Sequence, residues 1–276
     1  MIKDNPYVKI LKLKGSVVDM SVVAITCAIL GTWDYRALFV ILAGIMVHSG
    51  CDIMNDIYDY DIDKICKPDG SIASGQMSIK MAWGYMALLF AGSLLISYSL
   101  SFILFLCMST GIIIGGILYS HPLFRFKDIP GVAMLDMAVC FALESIGLWS
   151  VYSPLNTDSL IVAAYVFVMI FSLTFMKDFK DVAGDINSLP LMIGVRKASI
   201  ICSLLTILPF ISLIHVMRYN HEIFVGVLVY IVLAIGCIQI LMDDPVSKGE
   251  TLKNRMVMAL TMPNFAILGL KMILLA

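Results

Sequence analysis

Residues 36–54, RALFVILAGIMVHSGCDIM, run without a break into residues 55–63, NDIYDYDID. The first stretch is close to the roughly 20 apolar residues that a helix needs to cross a hydrocarbon core about 30 Å thick. The second places five amide or carboxylate side chains in nine residues. Carboxylates at a bilayer edge are costly unless a cavity, a partner or an ion takes them up. A second cluster, KDFKDVAGD at residues 177–185, follows another apolar run in the same way.

The rest of the chain extends this pattern. Of 276 residues, 60% are hydrophobic and 14% charged, with a mean hydropathy of +0.94. A water-soluble domain of this length needs far less apolar residue for its core. Hydropathy predicts an all-α membrane protein with nine transmembrane segments: Gly15–Trp33, Arg36–Met54, Met81–Tyr98, Phe102–Tyr119, Gly131–Tyr152, Ser159–Met176, Ser199–Met217, Ile223–Met242 and Met256–Ala276. No low-complexity tract or linker divides them, so residues 1–276 read as one integral membrane domain.

Charge placement supports the same topology, because cytoplasmic loops are enriched in Lys and Arg. With the N-terminus inside, all but Arg36, Arg218 and Lys271 of the nineteen basic residues fall on the inner side. Both acidic clusters then face the cytoplasm of a multi-pass cell-membrane protein. They open the two long inner connections, residues 55–80 and 177–198, whereas the outer connections are short. The net charge of −1 points to no nucleic-acid partner, and the seven cysteines lack CxxC or zinc spacing. The lysine-rich start followed by an apolar run reads as a retained first span rather than a cleaved signal, since eight more spans follow.

Helical spacing sorts the acids. Asn55, Asp59 and Asp63 lie four residues apart on one face, with His48 and Asp52 on the same stripe and Asp56 to one side. Asp178, Asp181 and Asp185 follow at spacings of three and four, again one face if helical. Like charges so placed repel, and a bound cation removes the conflict. A few hard oxygen ligands, with water in the other positions, suit Mg²⁺ shared with a phosphorylated substrate better than a closed cage. An EF-hand is excluded: Lys64 stands where its loop needs Gly, and Gly70 where it needs Glu. Asp61 and Asp69 are off the stripe and read as solvated.

These residues resemble the UbiA-type intramembrane prenyltransferases. The family's N-D-x-x-D-x-x-x-D motif is matched by Asn55, Asp56, Asp59 and Asp63, and its D-x-x-x-D motif by Asp181 and Asp185, with Asp178 extending it. IASG at residues 72–75 and LYSHPLFRFK at residues 118–127 are also similar to family stretches. The resemblance implies nine helices around a central cavity capped by cytoplasmic loops, with Mg²⁺ holding an isoprenyl diphosphate. Asp59, Asp63, Asp181 and Asp185 would be the catalytic acids, and Asn55, Asp56 and Asp178 would join them as metal ligands. The reaction implied is transfer of a polyprenyl group to a lipophilic acceptor within the membrane. Lys177, Asp178, Asp181, Gly184 and Asp185 resemble the archaeal ether-lipid branch, which transfers geranylgeranyl to geranylgeranylglyceryl phosphate.

Two features depart from the family. Gly70 and Ser71 stand where relatives commonly carry Arg-Pro, and the loop after Asp185 is about four residues shorter than the resemblance leads one to expect. Lys64 and Lys67 are the candidates to replace the missing guanidinium, joined by Lys177 as diphosphate contacts. Arg125 is either a phosphate contact or an inner-side anchor, and Lys127 is expected as an anchor.

Inside the spans, Asp19, Asp136 and Glu144 are expected to face a cavity or a neighbouring helix. Glu144 follows Asp136 by eight residues, about 80° round a helix, so both can line one pocket. His48, Asp52 and Tyr119 are further cavity candidates, His48 being either a substrate-orienting group or a satisfied buried histidine. Three other activities stay open: an aromatic or quinone-precursor prenyltransferase, a terpene synthase acting without acceptor, and a cation-coupled transporter using Asp19, Asp136 and Glu144.

Overall fold

The computed structural model describes residues 5–180, 182, 188–216 and 221–275. Its described residues are helical with no strand. After a short N-terminal turn, α1 (Pro6–Lys9), come α2 (Val17–Leu30), α3 (Tyr35–Tyr58), α4 (Tyr60–Cys66), α5 (Ile79–Leu100) and α6 (Phe102–Gly111). The rest are α7 (Pro130–Tyr152), α8 (Thr157–Thr174), α9 (Leu189–Ile193), α10 (Val195–Leu205), α11 (Ile207–Val216), α12 (Ile223–Met242) and α13 (Gly249–Leu275).

Among the described residues, seven helical stretches are long and apolar enough to cross a membrane. Two of the nine predicted segments fall short of that length: Val17–Leu30 and Phe102–Leu118. The 14 residues of α2 rise only about 21 Å. Gly31, in the left-handed region at φ 69°, ends α2 two residues short of Trp33, where the hydropathy estimate ends the first span. Large apolar side chains on the outer faces, such as Leu88, Leu95 and Val232, are about 70% exposed, as suits a hydrocarbon solvent.

Local chemistry explains the boundaries. Asp34 caps α3 by accepting from Arg36 N, Ser101 caps α6, and Asn156 with Ser159 forms a capping box at the start of α8. The seventh predicted span is two helices, α10 and α11, with Thr206 between them. Pro209 lacks the N–H that would reach back to Leu205, so the ladder breaks there. Tyr230 donates to the Thr206 carbonyl at 2.8 Å, at the junction. Helix α13 begins seven residues before the predicted Met256, because Glu250, Lys253 and Arg255 conceal its first turns from a hydropathy window. Of the three basic residues outside the positive-inside count, Arg36 pairs with Asp34 and Lys271 with Glu222. Arg218 lies outside the described residues.

Helix α3 packs on α5, α7 on α6 and α8, and α13 on α2 and α12. Gly50 and Gly92 let α3 and α5 approach closely: a Cβ at either would strike Phe90 or Met46. Polar links tie the other half together, chiefly Tyr165 of α8 donating to Asn264 of α13 at 2.7 Å in full burial. Asn264→Leu leaves that hydroxyl without its acceptor, which costs about 1–3 kcal/mol. The melting temperature in detergent should fall, and adding Tyr165→Phe should recover part of the loss, because no orphaned donor then remains.

Candidate active site

Helix α3 carries the first acidic motif out of the bundle. It bends at Asp59, yet Asp59 N still bonds Asn55 O at 2.9 Å and Asp63 N bonds Asp59 O at 2.7 Å. The four-residue register therefore survives the bend into α4, and Asn55, Asp59 and Asp63 keep one stripe. Asp63 is buried, while Asp61 and Asp69 are exposed as expected for solvated acids.

Each acid of the motif is matched to its own cation. Lys127 Nζ donates to Asn55 Oδ1 at 2.6 Å and also to Asp59 Oδ2. Arg125 stands 3.6 Å from Asp59 and is held by Asp128 at 2.6 Å. Lys12 pairs with Asp56 at 2.7 Å, and Lys67 with Asp63 at 3.2 Å. Burial pulls the Lys127 ammonium below its ordinary range, against Asp59. For Lys12, burial acts in the same direction but is outweighed by Asp52 and Asp56, so its pKa rises.

The expected anchoring role of Lys127 is thus corrected: its ammonium lies in the acidic stripe rather than at a lipid head group. Arg125 is drawn to the same stripe. Lys64, expected as a stand-in for the absent arginine, is exposed and lies over the Tyr60 ring at 4.1 Å, away from the stripe. Lys67 reaches Asp63 but stays largely exposed. The Gly70-Ser71 departure has a structural use. Buried Ser71 donates to Pro6 O at 3.1 Å, and Lys9 Nζ to Asp69 O at 2.5 Å. With Ser49 donating to Leu11 O at 2.8 Å, these bonds strap the N-terminal segment across the motif and bring Lys12 to Asp56.

Below the stripe lies a cavity of about 240 Å³, bounded by α2, α3, α6, α7 and Lys177. His48, Asp52, Asn55, Tyr119, Asp136 and Glu144 all line it, as does Asp19. His48 Nδ1 and Asp19 Oδ2 are 2.9 Å apart, so the histidine is both satisfied and cavity-lining. Tyr119 is brought there by a π-helical segment, Ile112–Leu118, that continues α6. Such widened turns are frequent at functional sites, and here Gly115 and Gly116 leave room for Cys51 and Cys140.

The second motif is only partly described. Asp181 and Asp185 lie outside the described residues. The α-helical stripe expected from Asp178 is not formed at its start: Phe175–Phe179 is a 3₁₀ turn following α8. Asp178 is buried, with Leu189 N at 3.5 Å from its carboxylate. Lys177 turns into the cavity, its ammonium 3.5 Å from Met137 Sδ.

Among the described residues, no three His, Cys, Asp or Glu side chains cluster closely enough to cage a metal. Mg²⁺ does not require such a cage, since one or two carboxylates with substrate phosphate and water suffice. Asp59 Oδ1 is buried without a hydrogen-bond partner, a hard oxygen one helical turn beyond Asn55 of the cavity lining, with Arg125 at 3.6 Å. The donor set therefore fits a magnesium ion brought in with a phosphorylated ligand.

Residues 20–260 match the UbiA prenyltransferase family. Digeranylgeranylglyceryl phosphate synthase of Methanosphaera stadtmanae is 28% identical over 239 residues, 84% of this chain and 83% of that protein. The structure of a UbiA homolog from Archaeoglobus fulgidus bound to DMAPP and Mg²⁺ superposes with a TM-score of 0.68 at 18% identity, covering 95% of this chain and 99% of that one. The apo structure of a UbiA homolog from Aeropyrum pernix K1 gives a TM-score of 0.73 at 15% identity, covering 95% and 98%. At these identities the structural likeness speaks for the fold.

Proposed function

The chain belongs to the UbiA prenyltransferase family and is a multi-pass membrane prenyltransferase, and we propose that it moves a polyprenyl group from its diphosphate to a lipophilic acceptor with Mg²⁺. The observation that carries this reading is the acidic stripe at the mouth of an intramembrane cavity, interleaved with Lys127 and Arg125. Asn55, Asp56, Asp59 and Asp63 would hold the metal together with Asp178, Asp181 and Asp185. Mg²⁺, when bound, supplies charge neutralisation for the departing diphosphate. The Archaeoglobus homolog's ligands, DMAPP and Mg²⁺, support that pairing.

The protein's own groups would do the rest. Lys127 and Arg125 would meet the charge that grows on the leaving diphosphate as the allylic carbon–oxygen bond breaks. Lys177 would do so from the cavity side. The apolar wall formed by Met108, Met137 and Phe141 would take the prenyl chain and keep water from the cationic carbon. Nine spans would frame this cavity, the two short helices included, with the N-terminus and both motifs on the cytoplasmic face of the cell membrane. The similarity to digeranylgeranylglyceryl phosphate synthase favours geranylgeranyl diphosphate as donor and geranylgeranylglyceryl phosphate as acceptor.

The test is a matrix of donors from dimethylallyl to geranylgeranyl diphosphate against geranylgeranylglyceryl phosphate, hydroxybenzoate and no acceptor, with and without Mg²⁺. The expected product is the diether, formed only with the metal. A prenylated aromatic would move the chain to another branch of the family. Alcohol or hydrocarbon released without acceptor would make it a terpene synthase, and no diphosphate cleavage at all would end the reading.

A further inference from the structure

The cavity does not become hydrocarbon below the acidic stripe. Its lining on α3 runs from Asn55 inward to Gly44, eleven residues or about 16 Å of helix. Three acids from two other helices line it: Asp19 and Glu144 beside Gly44 at the inner end, and Asp136 eight residues, about 12 Å of helix, nearer the stripe. Asp19 is 3%, Asp136 4% and Glu144 5% exposed.

Only Asp19 has a partner there, His48 at 2.9 Å. Both oxygens of Asp136 and Oε1 of Glu144 have no hydrogen-bond partner. Gly44 makes the space in which two of the acids meet: a Cβ at this position would lie 2.5 Å from Glu144 Oε1 and 3.5 Å from Asp19 Oδ1. An orphaned buried polar group is costly, and an ionisable one inside a membrane span more so. Glu144, unpaired at the inner end beside Asp19, marks a wall built to meet something that brings hydrogen-bond donors.

We propose that the inner end of this cavity is a second ligand subsite, which receives the hydroxyl group of a long-chain alcohol through Glu144 and the Asp19–His48 pair. A hydrocarbon tail offers these oxygens nothing. A phosphate would be repelled by them. An ammonium would carry a charge into a low-dielectric interior, whereas a neutral O–H satisfies the acceptors without that desolvation. Val47, Met108 and Phe141 supply apolar surface for the chain. If the cavity serves prenyl transfer, a hydroxyl held this far from the stripe is not the one that attacks the allylic carbon but anchors the far end of a chain in the cavity; its binding needs no turnover to be measured.

The experiment uses the full chain in lipid nanodiscs and follows tritiated 1-hexadecanol by scintillation proximity, with unlabelled 1-hexadecanol, 1-hexadecylamine and hexadecane as competitors. Hexadecanol should compete at least about tenfold better than the other two. Asp19→Leu and Glu144→Leu should each weaken its binding about tenfold, Glu144→Gln should regain part of that loss, and Gly44→Ala should block the subsite. Equal competition by hexadecane, or Leu variants that bind as the unaltered chain does, would overturn the subsite. Preference for the amine would overturn its hydroxyl chemistry. The competition on the unaltered chain decides the matter even where a variant does not fold. Geranylgeranyl diphosphate binding with Mg²⁺, measured on the same discs, separates the two readings: its absence sinks prenyl transfer and leaves alcohol binding as found.

Discussion

Replacing Asp59 and Asp181 together by Ala should lower Mg²⁺-dependent cleavage of a prenyl diphosphate by at least about 1000-fold, equivalent to about 4 kcal/mol of transition-state stabilisation. Asp59 sits one helical turn beyond Asn55, the stripe residue that lines the cavity, with one oxygen on Lys127 and the other buried without a hydrogen-bond partner, 3.6 Å from Arg125. A carboxylate so placed is the first described oxygen that a metal entering with its diphosphate would meet. Asp181 belongs to the other motif, so the double replacement would remove one proposed ligand from each motif. Asp59→Asn separates chemistry from folding, because it keeps the shape and the hydrogen bond while removing the charge. Its expected signature is a higher Mg²⁺ requirement and a higher KM for donor, in a folded protein whose melting temperature falls less than that of Lys127→Met, because the Lys127 bond loses its charge but not its acceptor. Full Mg²⁺-dependent turnover in the double variant would sink the metal assignment.

How much of this was legible beforehand depends on the range of the interactions involved. The acid stripe was readable because helical spacing is a local property: Asn55, Asp59 and Asp63 keep their register even through the bend at Asp59. Hydropathy located the apolar helices for a similar reason, summing side chains in a window. It missed the interruption before Pro209, since both flanks are apolar, and the charged first turns of α13. The cations of the site were hidden by distance along the chain. Lys12 meets Asp56 across 44 residues, and Lys127 meets Asn55 across 72. Positive-inside counting treats both as anchors, and only tertiary packing distinguishes a lysine that faces lipid head groups from one that faces an acid. The Asp19–His48 pair is a contact between helices, so the sequence could mark both residues as out of place in a span without joining them.

Lys127→Met should lower turnover about 100-fold, with much of the effect in the KM for the diphosphate, and should change how the protein responds to Mg²⁺. In the structure the Lys127 ammonium bonds both Asn55 and Asp59, with its side chain and that of Asp59 each only about one-eighth exposed. Removing it leaves a largely buried carboxylate without its nearest cation. Arg125, 3.6 Å away and already held by Asp128, compensates only in part. Loss of a charged hydrogen bond of this kind costs about 2 kcal/mol, so the metal-free variant should melt at a lower temperature. Mg²⁺ binding to the folded state adds stability by mass action. Without an ammonium competing for Asp59, a divalent ion should raise the melting temperature further in the variant than in the unaltered chain. A lysine that only anchored the loop at the membrane surface would show neither the KM effect nor the enlarged response to Mg²⁺. Lys127→Arg keeps the charge but, with its planar fork, cannot reproduce a point contact to two oxygens on one helix face. It should therefore restore the stability more fully than the turnover, which ties the stability to charge and the catalysis to geometry.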